Sequence, residues 1–139
     1  MERKLSDDER DAVESAYDQV IGGFGPQINW PTAEEREAHD LWLQAVYEDA
    51  SAWERDPMRV QLLNSIAPHR EELCRFWVNH RTLLNTDGAA VAVALADTII
   101  SIGLQCPVPV TQMSILLLKR GVLDKICGTS DSPSPTSTA

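Results

Sequence analysis

The chain is 139 residues long, 43% hydrophobic and carries a formal net charge of −9, enough apolar material for one domain's core and too acidic to present the basic stripe that nucleic-acid binding requires. Fifteen of its 21 Asp and Glu residues lie in the first 60 positions against six Lys or Arg, while the remaining 79 residues balance six acids with six bases. No signal peptide is expected, because Met1 to Asp11 is strongly polar, and the most apolar stretch, Ala89 to Leu104, carries Asp97 and falls short of the roughly 20 apolar residues of a spanning helix.

The first helix is expected to begin at Ser6, since Ser6-Asp7-Asp8-Glu9 fits the capping box, in which a Ser oxygen and a Glu three residues later satisfy free backbone N–H groups. Ala12, Val13, Ala16, Tyr17, Val20 and Ile21 then recur at helical spacing, and Gly22, Gly23, Gly25 and Pro26 end the pattern. Thr32 and Glu35 form a second capping box. The helix after it is predicted to run unbroken to about Glu54, with Trp42 and Trp53 within about 20° of one face. Asp56-Pro57, an N-cap followed by proline at the first helical position, starts a third helix that ends near Ile66.

From about His69 to Leu84 a fourth helix places Leu73, Phe76, Trp77, His80 and Leu84 on one side and Arg70, Arg75 and Arg81 on the other. Asn85 to Gly88 reads as a turn. Ala89 to Ile102 is apolar almost all round and belongs in the interior. Cys106-Pro107-Val108-Pro109 must be extended, and a sixth helix follows from Val110, with Gly121 as its point of bending or breaking and Gly128 as its stop. The fold class is therefore all-α: a compact single-domain bundle of five to six helices over 1–128, the last two buried at its centre and the first, second and fourth packed around them. Residues 129–139, all Ser, Thr, Pro, Asp or Ala, make a flexible tail.

Three cysteines, Cys74, Cys106 and Cys127, with no CxxC spacing, argue against a disulfide framework and a conventional zinc site. Cys74 reads as a small core residue, and six helical positions put it about 120° from His80, too far round to pair with it. A di-metal bundle needs Glu-x-x-His on two helices, whereas Arg36 and Trp77 precede His39 and His80 by three. No metal, cofactor or catalytic residue is expected. Asp97, an acid in an apolar helix, reads as a boundary residue or as the partner of an arginine such as Arg75 or Arg81.

These patterns point to a non-enzymatic cytoplasmic protein, a small acidic accessory, inhibitor, immunity or adaptor subunit. It is expected to bind a basic protein partner through its acidic N-terminal half, at Trp30, Glu34, Glu37, Asp40 and Asp49, and neither nucleic acid nor a membrane. Trp30, in the loop between two acidic helices, is the proposed aromatic anchor. The rival from another class is a small-molecule-binding bundle or small enzyme with a pocket near His80, Asp97 and Cys106. Homo-oligomerisation through an apolar C-terminal helix is a third reading.

Overall fold

The computed structural model describes residues 4–25 and 27–128; Pro26 and the expected tail at 129–139 lie outside them. Among the described residues every regular element is helical: α1 Asp7–Val20, α2 Ala33–Tyr47, α3 Ala50–Glu54, α4 Pro57–Ile66, α5 Arg70–His80, α6 Leu84–Ser101, α7 Val110–Lys119 and α8 Val122–Cys127. One-turn 3-10 segments, Ala67–His69 and Arg81–Leu83, join α4 to α5 and α5 to α6. The chain is a compact all-α bundle of the expected class, in which the second and sixth expected helices are each divided in two.

Both capping boxes form. Ser6 Oγ accepts from Glu9 N and the Glu9 carboxylate accepts from Ser6 N, and Thr32 and Glu35 exchange the same pair of bonds. The expected second helix stops at Glu48, whose ψ of 156° is extended. Asp49 then caps α3 by accepting from Ala52 N at 2.8 Å. The cause is local: an Asp oxygen competes for backbone N–H groups and restarts the chain inside an otherwise continuous pattern. Gly121 (φ 65°) occupies the left-handed region and separates α7 from α8. Asp87 (φ −151°, ψ 69°) interrupts α6, so the regular helix begins at Gly88 with Asp87 Oδ1 accepting from Ala90 N, where the turn was expected.

The centre is α6 and α7. Every residue from Thr111 to Leu117 is buried, and α6 buries Val91, Ala92, Val93, Leu95, Ala96 and Ile99. Helix α1 packs on both, α2 packs on α7, and α5 packs on α6 and α8. Gly88 lets α1 approach: a Cβ there would fall 1.9 Å from the Tyr17 hydroxyl oxygen. Polar bonds stitch α2 to α7, with Trp42 Nε1 donating to Gln112 O (2.9 Å) and Gln112 Nε2 to Glu35 O (2.8 Å).

The cysteine expectation is corrected. Cys74 and Cys127 form a disulfide, with Cα atoms 5.4 Å apart across 53 positions. An odd cysteine count leaves room for one pair and one remainder, and the packing of α5 on α8 brings together two residues whose spacing carries no motif. Cys106 stays outside the bond.

Candidate functional site

A groove of about 800 Å³ opens between the first turns of α2, the C-terminal end of α6 and the 103–110 loop. Proline builds one wall. Pro107 and Pro109 keep that segment out of the helical region, but it bends at Pro107 and Val108 where a fully extended run was expected, and Pro109 (ψ 149°) is extended as it leads into α7; the loop lines the cleft against α2. Ile99, Ile100, Leu104 and Val108 give the groove an apolar lining, and Cys106 borders it. Four glutamates, Glu9, Glu34, Glu35 and Glu37, also line it, with no Lys, Arg or His among the lining residues.

These glutamates divide by burial. Glu35 is 1% exposed and committed to the fold: Oε1 accepts from Thr32 N (3.0 Å) and Thr32 Oγ1 (2.8 Å), and Oε2 accepts from the buried Thr111 hydroxyl. Glu9 is buried in its own capping box. Glu34 and Glu37 are exposed and one helical turn apart on the face of α2 beside the cleft. The groove thus presents two solvated carboxylates above an apolar surface, on a helix fixed from below by Glu35.

Trp30 does not stand where an anchor must. It is buried, its ring lies edge-on to Trp42 with centroids 5.3 Å apart, and its Nε1 donates to His39 Nδ1 at 2.9 Å. That bond requires an imidazole whose hydrogen sits on Nε2. A large apolar ring gains more from filling the space beside α2 than from exposure, and its single N–H finds a partner there. Asp40 is exposed further along α2, outside the groove lining, and Asp49 is the α3 cap. Of the five residues expected to contact a partner, the structure brings Glu34 and Glu37 together at one cleft.

His80 and Asp97 are not among the residues that line this groove. His80 stacks on Phe76 with centroids 4.1 Å apart and its Nδ1 donates to Phe76 O (2.8 Å). Asp97 is partly exposed and pairs with Arg10 at 3.2 Å, not with Arg75 or Arg81. Cys106 alone of the three borders the groove. Cys74 is bonded to Cys127, and among the described residues no group of three His, Cys, Asp or Glu is placed to hold a metal ion.

No family model matches the chain, and no curated protein or solved structure matches it either.

One electrostatic feature lies away from the groove, where α2 breaks. Burial, and then the hydrogen bond and repulsion from Asp56, push the Glu48 carboxyl up to about 7, against the pull of Arg120. The Arg120 guanidinium lies 4.6 Å from the centroid of the Trp53 ring and donates twice to Glu48 O, at 3.1 Å each, tying the end of α7 to the α2–α3 corner.

Proposed function

We propose that the chain is a non-enzymatic, cytoplasmic protein-interaction module that docks a basic, apolar-anchored segment of a protein partner in the groove between α2 and the 103–110 loop. The observation that carries this reading is the composition of the groove: glutamates without a single cationic residue over an apolar surface. Charge of one sign speeds the encounter with a partner of the other sign and rejects nucleic acid and anionic membrane surfaces. Apolar side chains inserted into the cleft then supply most of the affinity, with Glu34 and Glu37 setting orientation. No cofactor is required by this role.

Charge reversal tests it. Glu34→Lys/Glu37→Lys should weaken capture of the cognate partner by about tenfold or more, whereas Asp7→Lys/Asp8→Lys, which reverses two acids of the first turn of α1, should leave capture within about twofold. Equal loss in both variants would remove the groove from the account and leave only a diffuse acidic surface.

A further inference from the structure

We propose that the Cys74–Cys127 disulfide is a redox latch for α8, which detaches locally when the bond is reduced while the α1, α6 and α7 centre stays folded. The docking reading is not needed for it. Helix α8 is six residues long, far below the roughly 12–15 residues at which an isolated helix becomes stable. It starts from a left-handed glycine with no side-chain cap and buries only Val122 and Leu123. It also packs on α7, and three bonds tie it to α5: Trp77 Nε1 donates to Asp124 Oδ1 at 2.8 Å, Arg70 Nε donates to Ile126 O at 2.8 Å, and the disulfide closes the last residue onto Cys74. Both bonded cysteines are partly exposed, within reach of a small thiol.

The chemistry balances with a glutathione-class thiol. One thiolate attacks a sulfur of the Cys74–Cys127 bond, forms a mixed disulfide and expels the other cysteine as thiolate. A second thiolate then attacks the mixed disulfide and releases the first cysteine. Two electrons and two protons pass to the protein, which ends with two thiols, and two reductant thiols end as one disulfide.

Hydrogen exchange on the full chain carrying Cys106→Ser, which prevents disulfide scrambling, reads the latch. In a reduced glutathione buffer the α8 amides, including Lys125 and Gly128, which donate to Gly121 O and Asp124 O, should exchange at least about tenfold faster than under oxidising conditions. Amides of α1, α6 and α7 should change by less than about twofold. Cys127→Ser should give the same local pattern without reductant. The proposal is overturned if the pair stays oxidised in that buffer, if α8 protection survives reduction, or if protection falls uniformly across all helices.

Discussion

Replacing Glu35 with alanine should be among the most damaging single substitutions of an acid in this chain. The side chain ends in a buried carboxylate that takes hydrogen bonds from Thr32 N, Thr32 Oγ1 and Thr111 Oγ1. Truncation removes half of the capping box, typically worth about 1 kcal/mol. It also leaves the fully buried Thr111 hydroxyl without its acceptor, which costs about 1–3 kcal/mol. The sum is about 3 kcal/mol, and for a chain of this size each kcal/mol moves the midpoint by roughly 3–4 °C, so the melting temperature should fall by about 10 °C. Thermal melts followed by circular dichroism read this directly. A cycle with Thr111→Val isolates the buried bond: the double variant should be less destabilised than the two singles summed, by about 1 kcal/mol or more. A loss below about 1 kcal/mol for Glu35→Ala, or strict additivity in the cycle, would refute the claim that this carboxylate joins α2 to α7.

Two further substitutions probe the packing and the α2–α3 corner. Glu48 has a native-state value of about 7 against a reference of 4.5, so between those values the folded state binds more protons than the unfolded one and stability falls as pH rises through the window. Glu48→Gln should therefore be close to neutral at pH ~5 and stabilise by about 1 kcal/mol at pH ~8, once solvent screening of this partly exposed group is allowed for; denaturant titrations at both values check it, and a pH-independent difference would count against the shift. Gly88→Ala places a methyl group 1.9 Å from the Tyr17 hydroxyl oxygen, so it should cost about 1–3 kcal/mol although alanine is the better helix former. A gain in melting temperature would show that α1 does not seat against α6 in this way.

Much of the fold is legible in the sequence because its signals are local. The capping boxes at Ser6 and Thr32, the Asp56-Pro57 start, and the stop at Gly128 each act within a few residues, and the structure uses every one. The apolar run of α6 and the dense pattern of α7 likewise declare burial, since a helix without a polar face has no stable position at the surface. What escaped depends on distance along the chain. Asp97 meets Arg10 across 87 positions and Glu35 meets Thr111 across 76, so no window around either residue contains its partner. The Cys74–Cys127 bond is hidden for the same reason. Trp30 shows the opposite hazard: a loop tryptophan beside carboxylates reads as an anchor, and only the placement of Trp42 and His39 reveals that it is core. The groove was half legible, because the acids of α2 are visible in sequence but the apolar lining beneath them comes from a loop and a helix end more than 60 residues later.

Amide chemical-shift mapping of the isotope-labelled chain, titrated with a short peptide of alternating Lys and Leu and with its Glu and Leu counterpart, tests the docking groove most directly. The account predicts that the basic peptide shifts Glu34, Glu37, Ile100, Leu104 and Val108 together, that added salt weakens the binding, and that the acidic peptide shifts none of them. Shifts spread equally over Asp7, Asp8, Asp11 and Asp18 of α1, or the same response to both peptides, would contradict it.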